Sequence, residues 1–84
     1  MAVNILLVED EPAIRELIRV NVQHAGYTPA AVDSAESAAR WLESATPDLI
    51  VLDWMLPGVS GIEICRRLRA RPETKALPVI MLTA

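Results

Sequence analysis

The alternation of apolar runs with helical patterns is the feature that most constrains how this chain folds. Apolar runs at residues 3–8, 27–32, 48–53 and 77–84 have the composition of strands. All but the second are apolar nearly throughout, as expected of strands that are covered on both faces. The strand-helix order that results, repeated to a fourth strand, predicts an α/β fold with a parallel sheet and right-handed crossovers.

The ends of the predicted helices carry recognisable signals. Pro12 suits a first helical position, where its missing N–H costs nothing. Asp33 with Glu36, and Ser60 with Glu63, have the spacing of capping boxes and predict two further helix starts. Apolar residues at helical spacing predict the inner face of the first helix: Ile14, Leu17, Ile18, Val22 and Ala25.

Length and composition exclude several classes of protein. With 84 residues the chain makes at most one small domain, and its net charge of −3 provides no basic field for nucleic acid or an anionic membrane. Cys65 is the only cysteine, so a disulfide framework is excluded within one chain. No apolar segment approaches the roughly 20 residues of a membrane span, and the start of the chain is unlike a signal peptide. We therefore expect a cytoplasmic protein.

Polar side chains follow three of the predicted strands. Glu9 and Asp10 come after the first, Asp53 after the third, and Thr83 near the end of the fourth. If the first and third strands are neighbours, their carboxyl ends bring three carboxylates into one crevice. Such crowding is unfavourable without a cation, and Mg²⁺ prefers carboxylate oxygens together with water and phosphate oxygens. The sequence therefore predicts a magnesium site at this edge.

A carboxylate beside Mg²⁺ is suited to accept a phosphoryl group. Asp53 would carry the group as an acyl phosphate, and Thr83 would donate its hydroxyl to a phosphoryl oxygen. Each acid taken alone is more simply explained as a favourable charge at a helix start, and Thr83 as an ordinary strand residue. Their occurrence together at successive strand ends favours the functional interpretation.

Three blocks along the chain carry a resemblance to a known family. "ILLVEDEP", "DLIVLDWMLPGVSG" and "PVIMLTA" are similar, in content and spacing, to the motifs of the receiver domain of bacterial two-component response regulators. The "DWMLPG" variant resembles the subclass whose effector is a winged-helix DNA-binding domain. The resemblance implies a flavodoxin-like (CheY-like) doubly wound sheet with strand order 2-1-3-4-5.

The resemblance also implies a role for each matching residue. Asp53 would accept a phosphoryl group from a histidine kinase, and Thr83 would be the switch hydroxyl. The Mg²⁺ ligands would be Asp10, Asp53 and the backbone carbonyl of Met55, with Glu9 acting through water. Such a domain accepts a phosphoryl group without being a turnover enzyme in its own right.

The implied partners lie outside this chain. They are a sensor histidine kinase, a C-terminal DNA-binding effector domain with its promoter DNA, and a second receiver in a phosphorylated homodimer; no membrane is involved. Arg15, Arg19 and the exposed side of the first helix are expected to face the same rim as Asp53. Because this helix contacts the kinase in the family, these residues are candidate contacts for the kinase. The family also has a fifth strand that ends in an essential lysine, and two more helices. Here the single lysine, Lys75, precedes the fourth strand, so we expect residues 1–84 to be a receiver domain that is incomplete at its C-terminal end.

Three alternative functions can be compared with the sequence. A Toprim-type phosphotransferase or nuclease needs Asp-x-Asp, but the residue two past Asp53 is Met55. A dehalogenase-type phosphatase needs its nucleophile after the first strand in Asp-x-Asp, which "VEDEP" does not supply. The third alternative is a degenerate or truncated receiver that only docks partners, against which the three acids argue.

Overall fold

A four-stranded parallel sheet, with helices on both faces, forms the protein. The computed structural model describes residues 2–82. Of the helices in that range, none is both long and apolar enough to cross a membrane. The elements in chain order are β1 (Asn4–Val8), α1 (Pro12–His24), β2 (Thr28–Val32), α2 (Ala35–Ser44), β3 (Leu49–Asp53), α3 (Gly61–Arg69) and β4 (Val79–Leu82).

The strands lie in the order β2-β1-β3-β4 and every pair is parallel. In the register of the central pair, Val8 is opposite Leu52, so β1 and β3 end side by side. The predicted α/β parallel fold is confirmed, and the order agrees with the first four strands of the order 2-1-3-4-5. The strand order reverses direction at β1. An open parallel sheet binds its ligands at such a point, beyond the carboxyl ends of the strands.

The core is divided by the sheet into two layers. On one face α2 and α3 cover the larger cluster, in which Leu6 and Leu52 are fully buried. On the other face α1 packs through Ile18 and Val22 against the smaller cluster around Leu7. Because β1 and β3 have covered residues on both faces, they are apolar nearly throughout.

Helix starts follow the predicted signals with one exception. Pro12 is the first residue of α1, and the Ser60 hydroxyl accepts the Glu63 N–H at the start of α3, as predicted. For α2 the predicted capping residue, Asp33, is wrong: the adjacent Ser34 caps the helix and its hydroxyl accepts the Ser37 N–H. Asp33 instead accepts from the Ser37 hydroxyl, so it supports the cap from one position earlier.

The predicted inner face of α1 is only partly correct. Ile14 and Leu17 are 46% and 63% exposed, and α1 has no buried residue. The physical reason is that a single helix resting on a twisted sheet buries a narrow stripe, here Ile18 and Val22. In the part of the chain that the structure describes, no second helix packs on this face to cover the rest of the stripe.

Candidate functional site

Three carboxylates converge at the carboxyl edge of the sheet. Glu9 and Asp10 immediately follow β1, and Asp53 is the last residue of β3. One oxygen from each of the three lies within 4.8 Å of the others. The adjacent ends of β1 and β3 bring the three acids together, although more than 40 positions of sequence separate Asp10 from Asp53.

Glu9 is the buried member of this acidic cluster, with 5% of its surface exposed. Its carboxylate accepts the Glu11 N–H at 3.1 Å, and its own N–H donates to the carbonyl oxygen of Val32 on β2. Burial raises the pKa of the Glu9 carboxyl above its ordinary value, and the neighbouring Asp10 and Asp53 carboxyls raise it further. A metal-free cluster is thus electrostatically unfavourable, which favours a bound cation.

The backbone of the loop after β3 holds the Asp53 carboxylate in place. Oδ1 of Asp53 accepts the Met55 N–H at 3.2 Å, which limits rotation of the carboxylate. The loop closes where the Gly61 N–H donates to the Trp54 carbonyl oxygen at 2.9 Å. Gly58, with φ of +80°, lies in the turn between Trp54 and Gly61. A left-handed φ is strongly disfavoured for most residues other than glycine.

The site opens to solvent through a cleft of about 290 Å³. Its lining comes from the ends of β1, β3 and β4 and from the start of α1: Glu9, Asp10, Glu11, Ile14, Asp53, Met55 and Leu82. Asp10 and Asp53 are both partly exposed within it. The carboxylates of Asp10 and Asp53 are therefore accessible from solvent through the cleft.

The donor set fits Mg²⁺. Bonds of about 2.0–2.1 Å in octahedral geometry place ligand oxygens roughly 2.9 Å apart when adjacent and roughly 4.2 Å apart when opposite. The Asp10 and Asp53 oxygens lie within 4.8 Å of each other, so small side-chain rotations would bring them to such separations, and the Glu9 oxygen is near enough to act through a bound water. All the donors are hard oxygens, which Mg²⁺ prefers. No histidine or cysteine belongs to this cluster.

The remaining predicted residues have different outcomes. Met55 lies in the loop beside Asp53 and lines the cleft, and the role of its backbone carbonyl as a ligand stays a prediction. Thr83 lies outside the described residues, so its role also stays a prediction. Lys75 is in the loop that precedes β4, at the edge of the parallel sheet opposite the acids, as the sequence indicated.

Two contributions to the site were not predicted. Arg15, expected as a kinase contact, is half-buried and donates to the carbonyl oxygens of Glu9 and Asp10 at 3.0 and 3.4 Å. At Gly61 a Cβ atom would lie 3.0 Å from the Asp53 carbonyl oxygen, so the close approach of these two positions favours glycine. A glycine at the first helical position was visible in the sequence, but the approach depends on the fold.

Comparison with known proteins identifies the family. The sequence pattern of the family described as "Response regulator receiver domain" matches residues 5–84. The chain is 52% identical over 84 residues to the phosphate regulon transcriptional regulatory protein PhoB of Rhizobium meliloti. This match covers all of the present chain and 37% of that relative, so the chain spans little more than a third of the relative's length.

Solved structures give the same result at the level of the fold. The signal receiver domain of a signal transduction histidine kinase from Syntrophus aciditrophicus is 36% identical, with a TM-score of 0.93 over 98% of this chain and 62% of that one. The receiver domain of sensor histidine kinase PA1611 from Pseudomonas aeruginosa, solved with a magnesium ion coordinated in its active-site cleft, is 33% identical. Its TM-score is 0.92, over all of this chain and 69% of that one. The chain belongs to the receiver domain family of two-component response regulators.

Proposed function

We propose that Asp53 accepts a phosphoryl group, with the assistance of Mg²⁺, from the phosphohistidine of a sensor histidine kinase. The convergence of the Glu9, Asp10 and Asp53 carboxylates within 4.8 Å carries this proposal. The three carboxylates line the same cleft, and within it Asp53 is partly exposed to solvent, as a phosphoacceptor must be. The magnesium ion in the active-site cleft of the related PA1611 receiver domain supports the choice of metal.

The transfer exchanges one phosphorus bond for another. An oxygen of the Asp53 carboxylate forms a bond to phosphorus while the bond between phosphorus and the imidazole nitrogen breaks. The electron pair of the broken bond returns to the imidazole, and Asp53 holds the phosphoryl group as an acyl phosphate. Because the Met55 N–H holds one Asp53 oxygen, the nucleophile is oriented before the donor arrives.

The surrounding residues would reduce the electrostatic cost of bringing an anion to an acidic cleft. Asp10, Asp53 and the Met55 carbonyl would hold Mg²⁺ directly, and Glu9 would contact it through water. When bound, Mg²⁺ supplies positive charge that offsets the repulsion between the carboxylates and the phosphoryl oxygens. Thr83 would donate its hydroxyl to a phosphoryl oxygen and so respond to phosphorylation.

The partners follow from the family and are part of the proposal. Residues 1–84 would be the N-terminal part of a receiver domain, since the chain covers 62% and 69% of the two related receiver chains described above. The full-length protein would be a cytoplasmic transcriptional regulator with a C-terminal DNA-binding domain, dimerising when phosphorylated. The receiver would accept one phosphoryl group and would not be a turnover enzyme in its own right.

The test is phosphorylation of the full-length protein with acetyl phosphate or with a cognate kinase. We expect an adduct of one phosphoryl group in the presence of Mg²⁺ and none in EDTA. Asp53→Asn should lose the adduct, which borohydride reduction and mass spectrometry of peptides would locate at residue 53.

Asp33→Asn provides the matched control. Asp33 follows β2 at the same edge of the sheet, is exposed and lies outside the acidic cluster, so the variant should be phosphorylated normally. A label that persists in Asp53→Asn at another residue, or that forms equally well in EDTA, would contradict the proposal.

A further inference from the structure

Arg15 joins α1 to the backbone that carries the first two acids. One guanidinium nitrogen, Nη1, donates to the carbonyl oxygen of Glu9 at 3.0 Å and contacts that of Asp10 at 3.4 Å. Arg15 is the fourth residue of α1, and helical side chains lean towards the N-terminus of their helix. Its side chain is therefore directed back over the loop between β1 and α1.

These two carbonyl oxygens have no equivalent partner elsewhere in the loop. Among the described residues, no backbone N–H donates to either of them, whereas the neighbouring Glu11 carbonyl oxygen accepts the Arg15 N–H at 2.8 Å. A carbonyl group without a protein partner can turn towards water, and a turn of the peptide redirects the side chains on either side of it. The guanidinium therefore restricts the directions of the Glu9 and Asp10 side chains.

We propose that Arg15 is a positioning residue for the metal site, acting on Glu9 and Asp10 through their backbone carbonyls. The inference rests on the proposed function, since it concerns the same Mg²⁺ site. It predicts that Arg15 strengthens Mg²⁺ binding, whereas its charge alone would weaken it. A cation close to the acids repels Mg²⁺, so removing it should tighten binding if only electrostatics mattered, and should weaken binding if orientation matters more.

The experiment measures Mg²⁺ affinity in the full-length protein by the fluorescence of Trp54, which follows Asp53 and is 40% exposed. The loss of groups that orient metal ligands typically lowers affinity by about 10-fold or more, and we expect a loss of that order for Arg15→Ala. Arg15→Lys retains the charge and one donor nitrogen but lacks the rigid, planar guanidinium that fixes the direction of that nitrogen. Its affinity should fall between those of Arg15→Ala and the unmodified protein.

The control variant is Arg71→Ala. Arg71 is exposed and pairs with Glu73 at 3.5 Å in the loop that leads to β4, at the opposite edge of the sheet. This variant loses the same charge and should retain its Mg²⁺ affinity. Circular dichroism at the titration temperature would establish that each variant is folded, and Arg15→Lys provides the comparison if Arg15→Ala is not.

Each outcome decides between the two levels of the proposal. Affinity that is equal or tighter in Arg15→Ala, or lost to the same extent in Arg71→Ala, would overturn the inference about Arg15 and leave the metal site intact. An unmodified protein that shows no Mg²⁺ response by fluorescence or calorimetry would instead overturn the proposed function, and the inference with it.

Discussion

Replacing Gly61 by alanine should weaken Mg²⁺ binding because the added methyl group would displace the backbone of Asp53. A Cβ atom at residue 61 would lie 3.0 Å from the Asp53 carbonyl oxygen and 3.2 Å from both Trp54 Cα and Met81 Sδ. These distances are tighter than ordinary van der Waals contacts, so the neighbouring atoms must shift by a few tenths of an ångström. The methionine side chain can move, but the two backbone atoms belong to the end of β3 and to the loop that follows it, which together hold the site.

The expected loss of stability is moderate. Overpacking of this kind costs about 1–3 kcal/mol, and replacing glycine by alanine in a helix returns up to about 1 kcal/mol. With the full return, we expect a net loss of about 0–2 kcal/mol from these two terms. Since Asp53 moves with its carbonyl group, Mg²⁺ affinity should fall by about 10-fold, the size seen when metal ligands lose their support.

Gly58→Ala separates loss of stability from displacement of the site. At Gly58 a Cβ atom would contact nothing within 4 Å, but φ is +80°. The variant should lose about 1–2 kcal/mol through backbone strain alone and retain its Mg²⁺ affinity. Urea denaturation measures the two stabilities, and Trp54 fluorescence measures the affinities. Equal affinities in the two variants, at comparable stability, would refute the argument that Gly61 is required for close approach to Asp53.

Three further predictions concern stability. The raised pKa of Glu9 means that, in this pH range, the folded protein binds more protons than the unfolded chain, so its stability in EDTA should fall as pH rises from 4.5 through that raised pKa. Glu9→Gln should flatten this dependence in urea melts, and an unchanged slope would contradict the assignment. Leu6→Ala should cost about 2–5 kcal/mol because Leu6 is fully buried, and a loss below about 1 kcal/mol by the same method would be inconsistent with its packing. Thr74→Val should cost about 1 kcal/mol in thermal melts, since its hydroxyl donates to the Leu68 carbonyl oxygen at 2.7 Å; no change would show that the Arg71 N–H, which also donates to this oxygen, satisfies it alone.

The sequence determined the order of elements and the identities of the acids. Continuous apolar runs are sufficient to indicate strands covered on both faces, and Pro12 and Ser60 mark helix starts through local backbone chemistry that needs no tertiary context. The acids were found because Glu9, Asp10 and Asp53 follow such strands, and parallel strands present their carboxyl ends at one edge. The capping residue of α2 was misplaced by one position, because Asp33 and Ser34 are both good caps and the backbone decides between them.

The tertiary structure decided how these groups are held. That β1 and β3 are neighbours depends on long-range pairing, to which no local signal in the sequence corresponds, so the sequence indicated this strand order only through the family resemblance. The exposure of Ile14 and Leu17 depends on how much of the sheet one helix covers, and the sequence periodicity is the same whether a residue of the stripe is covered or not. Arg15 was visible as a charged residue on a helix, but its bonds to two loop carbonyls require the position of that helix relative to the end of β1. The reason for a glycine at position 61 is likewise visible only in the folded protein. The atoms that crowd a Cβ there belong to residues 53, 54 and 81, which only the packed sheet brings together.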